Sequence, residues 1–345
     1  MSEQRNVRCP ECGEWTDRRE FMKGVSAAAI AASAGVLPML GATQKCVAHS
    51  LLSGVSAVED KAKGTPETAV KRLYDSLSDK QKNVICKPFD DPLRQKYSAN
   101  WAITKPTIGE FFTKDQQETI RTIFRGCTSE EGYDRFLKQM KEDYGGFGQY
   151  HVAIFGKPGQ GEKFQWVMSG RHMTIRDDGN FTDGTAFGGP MVYGHGTGDS
   201  QKGLPGNVFY YQTLKANEVF KMLDGKQQKK ALLDNSPPED AVQIRGPMAK
   251  FPGIAIAELA DDQKKLVEKV MHELLAPYRK EDVKEAMGCL KSGGGLDKMH
   301  IAFYKDQDIG SDEIWDIWRL EGPTFVWHFR GAPHVHTYVN IASKA

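Results

Sequence analysis

The chain is short of cysteine and of net charge, and each shortage excludes a class of protein. Of its 345 residues six are cysteines, and only Cys86, Cys127 and Cys289 lie beyond residue 57. A sparse, odd-numbered set is not a disulfide framework, so stability must come from a conventional core. The 46 basic and 45 acidic residues leave a formal net charge of +1, which gives no field to attract nucleic acid. We therefore expect no nucleic-acid partner.

Long hydrophobic runs are also scarce. The one candidate, from Gly24 to Ala42, is rich in alanine, glycine and serine and is interrupted by Pro38. Its length is close to the minimum for a membrane span. It follows Arg18-Arg19-Glu20-Phe21-Met22-Lys23, and the paired arginines with the phenylalanine and lysine resemble a twin-arginine export signal. This resemblance predicts a removable signal and no stable membrane anchor.

Small residues at Val55-Ser56-Ala57 are typical of a cleavage site, and Leu40-Gly41-Ala42 is an alternative. We predict an export signal region over residues 1–57 and a single α+β domain over residues 58–345. The export machinery would then be a partner, and the mature protein would be periplasmic or secreted.

The mature chain alternates helical and β-rich blocks, which predicts an α+β fold with helices packed on an antiparallel sheet. Ser78, Thr113 and Asp224 each precede a glutamine by three residues, as in an N-terminal capping box. At a fourth such start Ala260 stands in the capping place. We interpret this recurrence as similar helix starts and not as a true repeat. The strands predicted after the first helices are 150–156 and 164–175; those near the end of the chain are 298–304 and 314–321, followed by a C-terminal β-hairpin carrying histidines.

Three of the nine histidines lie in that terminal hairpin. Alternation along the strands places His328 and Arg330 on one face of the first, and His334, His336 and Tyr338 on one face of the second. If residues 331–333 form a three-residue loop, Arg330 lies opposite His334 and His328 opposite His336. Opposed residues have Cβ atoms about 4.5–5.5 Å apart, so the imidazoles would gather as ligands of a transition metal. Hydrogen-bonded structural histidines are the alternative.

Several segments resemble a family known as domain of unknown function 3500, over roughly residues 67–340. The resemblance rests on Arg72 to Ser78 with Gln81, on the strand from Tyr150, on Trp166 to Ile175, and on Gly322-Pro323-Thr324-Phe325 leading to His334-Val335-His336. In the family the second of these strands usually ends Gly-His-His-Leu. Here it reads Gly170-Arg171-His172-Met173, and the segment after His336 also departs from the family pattern. The resemblance implies a divergent member with a histidine-bearing site, but no reaction.

These observations predict an exported metal-dependent protein. The first hypothesis is that it is an enzyme, either a hydrolase or an oxidoreductase. The predicted ligands are His328, His334 and His336, with His172 from the family resemblance and His195 from a glycine-rich loop. The metal would be divalent zinc, copper or iron, since imidazoles suit all three. Tyr338 and Arg330 are the predicted catalytic side chains, acting on an unknown small-molecule substrate.

Two non-enzymatic alternatives remain. A periplasmic small-molecule-binding protein would use Trp315, Trp318, Trp327, Tyr338 and Arg330 to line an aromatic pocket. A metal carrier would use methionines near the histidines, the candidates being Met168, Met173 and Met191. Glu321 and Asp316 are the acidic residues nearest in sequence to the hairpin, and we expect them to accept imidazole N–H groups.

Overall fold

The computed structural model describes residues 65–159, 161–179, 184–196, 206–309 and 312–343, together with two short strands, β1 (Val7–Arg8) and β2 (Trp15–Thr16), that pair with each other. The export signal predicted around Arg18-Arg19 and both cleavage sites lie outside the described residues. Among the described residues, no helix combines the length and the apolar character that a membrane span needs. Cys86, Cys127 and Cys289 are free thiols.

Nine α-helices occur in the described part of the chain. They are α1 (Pro66–Ser76), α2 (Asp79–Ile85), α3 (Ile108–Phe111), α4 (Lys114–Gly126), α5 (Glu130–Tyr144), α6 (Tyr211–Met222), α7 (Gly225–Ala231), α8 (Asp261–Leu275) and α9 (Lys280–Ser292).

The remaining strands form one sheet. They are β3 (Cys86–Lys87), β4 (His151–Gly159), β5 (Glu162–Gly170), β6 (Met173–Asp177), β7 (Met191–His195), β8 (Leu232–Leu233), β9 (Ile254–Ala255), β10 (His300–Tyr304), β11 (Ile317–Gly322), β12 (Phe325–Arg330) and β13 (Val335–Ile341). Their order is β3-β4-β5-β6-β7-β13-β12-β11-β10-β8, and β9 pairs with β10. All pairings are antiparallel except β3 with β4 and β8 with β10. The predicted α+β class is confirmed, and β10 to β13 form an antiparallel meander that ends in the predicted C-terminal hairpin.

The same order of elements occurs twice. In each half of the chain two helices lead into a two-residue strand, two long helices follow, and a four-stranded meander comes next, whose first strand is parallel to the short one. The first half has the four-residue helix α3 in addition, and the second half has the two-residue strand β9. The two meanders meet antiparallel at β7 and β13, in the middle of the sheet. The recurrent helix starts therefore mark a repeat of the fold, and our interpretation against a repeat is wrong.

The capping glutamines show why the motif recurs. Gln81 and Gln116 each cap their own helix, and their side-chain amides also bond to each other, with Nε2 to Oε1 distances of 2.8 and 3.2 Å. Gln227 and Gln263 do the same in the second half, at 3.1 and 2.8 Å. Ala260 has no capping oxygen, but its N–H still donates to Gln263. Each pair of helix starts is thus tied together by one buried or half-buried amide pair.

The sheet is covered on both faces. One face packs against the helices and carries the largest apolar cluster, which includes Trp166, Trp318 and Trp327. On the other face, segments around Ala99 and Val242 cover β7, β12 and β13, with Val192, Val326 and Tyr338 beneath them. Polar side chains of this second face are consequently shielded from solvent, which sets the environment of the histidines.

The register of the terminal hairpin differs from the prediction. Arg330 lies opposite His336 and His328 lies opposite Tyr338, so five residues link the pairs and not three. The Gly331 N–H donates to the carbonyl of Asp316, immediately before β11, and Pro333 has no N–H to donate to the neighbouring strand. The shift is two residues, so every side chain keeps its predicted face. It does, however, move His328 away from His336.

The predicted strand 164–175 is in fact two strands. Gly170 pairs with Met173, and Arg171 and His172 form the tight turn between β5 and β6. His172 has a positive φ of 54°, an uncommon conformation for a residue with a side chain. Its N–H donates to the Ala99 carbonyl on the covering segment. This turn, and not a strand face, therefore positions the His172 ring.

Candidate metal centre

Three buried histidines come together beside the central strands of the sheet, where β7 ends and β13 begins. His172 comes from the β5–β6 turn, His334 immediately precedes β13, and His336 is the second residue of β13. One potential ligand atom from each lies within 4.8 Å of the others, and the side chains are at most 3% exposed. The ring centroids are 4.8–5.0 Å apart. The group joins the two halves of the fold, since His172 belongs to the first and the other two belong to the second.

Strand pairing explains this convergence. Met173 pairs with Tyr193 on β7, and the next residues of β7, Gly194 and His195, pair with His336 and Val335. The turn before β6, the end of β7 and the start of β13 therefore lie side by side.

Gly196 leaves the space that the rings occupy. A Cβ at that position would lie 2.6 Å from His172 Cε1 and 2.9 Å from His334 Cδ2. Such distances are too short for nonbonded carbon atoms, so the glycine is required for this packing of the imidazoles.

Two carboxylates orient two of the rings. Asp143, in the last turn of α5, accepts a hydrogen bond from His172 Nδ1 at 2.7 Å, and also from the Gly196 N–H at 3.0 Å. Glu239 accepts from His336 Nδ1 at 2.9 Å and pairs with Arg330 Nε at 3.0 Å. Both rings therefore carry their proton on Nδ1 and direct Nε2 toward the third histidine.

The Nε2 atoms face one another. Those of His334 and His336 are 3.0 Å apart, and His172 Nε2 is buried without a hydrogen-bond partner among the described residues. A buried ring nitrogen normally has a partner. An unpartnered, unprotonated Nε2 beside two other imidazoles fits a metal ligand, and carboxylates on the opposite nitrogens are the usual support of metal-bound histidine.

The ionisation states suit the same role. Burial lowers the pKa of His172 to about 4, although Asp143 acts against this effect, so the ring is neutral near neutral pH. Burial by itself would raise the pKa of Glu239, but Arg330 and His336 outweigh it and lower the pKa to about 2. Neutral imidazole is the form that binds metals. Three such nitrogens without thiolate are compatible with zinc, copper or iron.

A family model described as protein of unknown function (DUF3500) matches residues 60–342. The chain belongs to the DUF3500 family. No curated protein and no solved structure matches the chain. The family supplies no reaction, so the functional argument for this DUF3500 chain rests on the geometry of its histidines.

Two of the predicted ligands lie outside the three-histidine group. His195 Nδ1 accepts the Val208 N–H at 3.0 Å, and its Nε2 lies 2.9 Å from a carboxylate oxygen of Glu142. His328 Nδ1 lies 3.5 Å from Arg319 Nη1, and burial lowers its pKa to about 3. His195 therefore supports the loop after β7. His328 lies two residues before Arg330 on β12 and contacts Arg319.

The predicted catalytic side chains lie on the same sheet face as the cluster. The Tyr338 hydroxyl accepts the Ala99 N–H at 3.2 Å, and the carbonyl of Ala99 in turn accepts the His172 N–H. Arg330 is fully buried against Glu239. Arg330 thus contacts the cluster through Glu239, whereas Tyr338 shares a backbone support with His172. Their catalytic roles remain predictions.

Of the three tryptophans of the alternative hypothesis, Trp318 and Trp327 do not line a pocket, whereas Trp315 is partly buried and lines a separate surface pocket beside Phe220. Trp318 and Trp327 are fully buried in the helix-facing core, where Trp318 stacks on Phe329 with centroids 5.3 Å apart. Met168, Met173 and Met191 belong to the same core. None of these side chains is placed to line a ligand site on the histidine face.

Sequence reasoning missed the carboxylates that support the rings. Glu321 and Asp316, the acids expected to do so, bond to Arg319 and Arg245 and to the Ile309 N–H. Asp143 and Glu239 are 29 and 97 residues from their histidines. No local pattern distinguishes them from other acidic residues, so only the fold reveals them.

Proposed function

We propose that this DUF3500 protein is a metal-dependent enzyme whose divalent transition metal is held by His172, His334 and His336. The observation that carries the proposal is the buried, unpartnered Nε2 of His172, which faces two further imidazoles. The Nε2 atoms of His334 and His336 are 3.0 Å apart, so one cation could contact both.

Three protein ligands favour catalysis over a purely structural metal. Structural zinc sites use four protein ligands, whereas catalytic sites have three and leave one position for water or substrate. A metal here would supply either an activated water for hydrolysis, if it is zinc, or a redox centre, if it is copper or iron. The reaction class is thus a hydrolase or an oxidoreductase.

The side chains around the cluster have distinct proposed roles. Asp143 and Glu239 keep the protons of His172 and His336 on Nδ1, so that Nε2 stays available. Arg330 holds Glu239 in place and acts as a positioning residue. Tyr338, anchored through Ala99, is the proposed proton donor or hydrogen-bond donor to substrate.

Metal content tests the proposal. The mature protein, purified without chelator, is expected to contain about one zinc, copper or iron atom per chain by elemental analysis. His336→Ala should lose the metal while keeping its far-ultraviolet circular dichroism. His272→Ala, on the exposed side of α8, is the matched control and should retain it. A wild-type protein that neither contains nor takes up a metal would contradict the proposal.

We also propose that the protein acts after export. Support comes from the twin-arginine pattern at Arg18-Arg19 in the sequence alone. Replacing both arginines by lysine should leave the protein in the cytoplasmic fraction, while Lys23→Arg should not. Unchanged export of the arginine variant would refute this route.

A further inference from the structure

A cavity lies on the histidine-bearing face of the sheet, apart from the three-histidine group. It has a volume of about 410 Å³ and opens between β10, β11 and the segment 233–252 that covers them. This volume is within the range of small-molecule sites. Arg319, in the cavity wall, pairs across the sheet with His328, which in turn pairs with Tyr338. The cavity therefore lies two strands away from β13, and none of the three proposed metal ligands lines it.

The cavity wall carries an excess of one positive charge. Arg245 donates to Glu321 Oε1 through Nε and Nη2, at 3.0 and 2.7 Å, and Arg319 Nε donates to Glu321 Oε2 at 2.8 Å. Two guanidinium groups therefore share one carboxylate that is only 3% exposed. Glu321 neutralises one of them, and the other favours an anion of single charge.

Arg245 is the guanidinium available to a ligand. The side chain of Arg319 is 4% exposed and also bonds to the Ala241 carbonyl and approaches His328. Arg245 is 43% exposed, and its Nη1 has no hydrogen-bond partner among the described residues. A planar guanidinium with a free edge suits a carboxylate.

The Tyr304 hydroxyl is the second polar group in the wall. Tyr304 is 1% exposed, lines the cavity, and its Oη is buried without a partner among the described residues. A buried hydroxyl without a partner is unfavourable, because it has lost its hydrogen bonds to water without replacing them. A ligand oxygen inside the cavity would accept a hydrogen bond from this hydroxyl and replace one of the lost bonds.

The rest of the lining is partly apolar and includes Leu233, Pro237 and Pro252. We propose that this cavity binds a small organic monocarboxylate with an apolar body, its carboxylate held by Arg245 and Tyr304. The single excess positive charge favours a monoanion over phosphate, and the apolar wall favours a hydrophobic body over a polyol. The site does not depend on the metal centre, since the two share no residue.

Titration calorimetry with benzoate tests the site, using the full mature protein. Benzoate should bind, and benzamide, which has the same shape without the charge, should bind about tenfold or more weakly. Arg245→Gln should weaken benzoate binding by about tenfold or more for the same reason. Arg125→Gln is the matched control, because Arg125 is also exposed, paired with a glutamate and stacked over an aromatic ring.

Tyr304→Phe provides a variant that should fold normally, because it removes only a hydroxyl without a partner. It should weaken benzoate binding about fivefold, consistent with one lost hydrogen bond. No heat of binding with benzoate, equal binding of benzamide, tighter binding of inorganic phosphate, or full affinity in both Arg245→Gln and Tyr304→Phe would each overturn the proposal.

Discussion

Replacing Asp143 by asparagine tests whether the His172 ring is held ready for a metal. Asp143 Oδ2 accepts hydrogen bonds from His172 Nδ1 and Gln139 Nε2, at 2.7 and 2.8 Å, while Oδ1 accepts from the Gly196 N–H at 3.0 Å. Asparagine has the same shape but only one acceptor oxygen. The substitution therefore changes hydrogen-bond polarity without opening a cavity.

Either orientation of the new amide disturbs the site. If its oxygen remains on Gly196, the NH2 group faces His172, and the ring must carry its proton on Nε2, where a metal cannot bind. If the amide flips, its NH2 group opposes the Gly196 N–H, and two donors face each other. Loss of an outer partner of a metal-bound histidine typically lowers metal affinity by about 10–100-fold. This corresponds to about 1.4–2.7 kcal/mol of binding free energy.

The assay is competition for zinc or copper against a chromogenic chelator near neutral pH. Asp143→Asn should bind about 10–100-fold more weakly than the wild type and keep its circular dichroism. Glu239→Gln should behave in the same way through His336. Asp134→Asn, an exposed change in the same helix α5, is the control. A folded Asp143→Asn protein with unchanged metal affinity would refute the reasoning.

Three further perturbations follow from the described contacts. Gly196→Ala would place a methyl group 2.6 Å from His172 Cε1 and should abolish metal uptake in a folded protein; retained metal would contradict the packing argument. Trp327→Ala should lower the free energy of unfolding by about 3–5 kcal/mol in urea denaturation, and an unchanged midpoint would show that the ring is not core. Burial and nearby carboxylates raise the pKa of Asp316 from 3.8 to about 8. The folded state therefore binds the Asp316 proton more tightly than the unfolded state does. The stabilisation that this proton provides is complete below the unfolded pKa and is lost as the pH rises through about 8. Asp316→Asn should therefore make the melting temperature depend less on pH between the unfolded pKa and about 8. Equal pH dependence in the variant and the wild type would contradict a raised pKa of Asp316.

The helices could be predicted because their signals are local. A capping residue and a glutamine three positions later define the start of a helix within one turn, and Ser78, Thr113 and Asp224 all begin helices as expected. What they could not reveal is that Gln81 bonds to Gln116, since that contact depends on how two helices pack. The repeat of the fold therefore became evident only in three dimensions.

The histidine cluster was predicted in part. Period-two alternation placed His334 and His336 correctly on the histidine-bearing side, because an error of two residues in register does not change the face. The loop length was wrong, and His328 was consequently expected too close. His172 was identified from a family resemblance, but its turn conformation and its partner Asp143 depend on long-range contacts.

X-ray absorption at the edge of the bound metal tests the central claim most directly. We predict three imidazole nitrogens in the first coordination shell, at about 2.0–2.1 Å if the metal is zinc. Any metal retained by His334→Ala should have one imidazole fewer. A sulfur scatterer near about 2.3 Å, or a first shell without imidazole, would contradict the assignment of His172, His334 and His336 as the metal ligands.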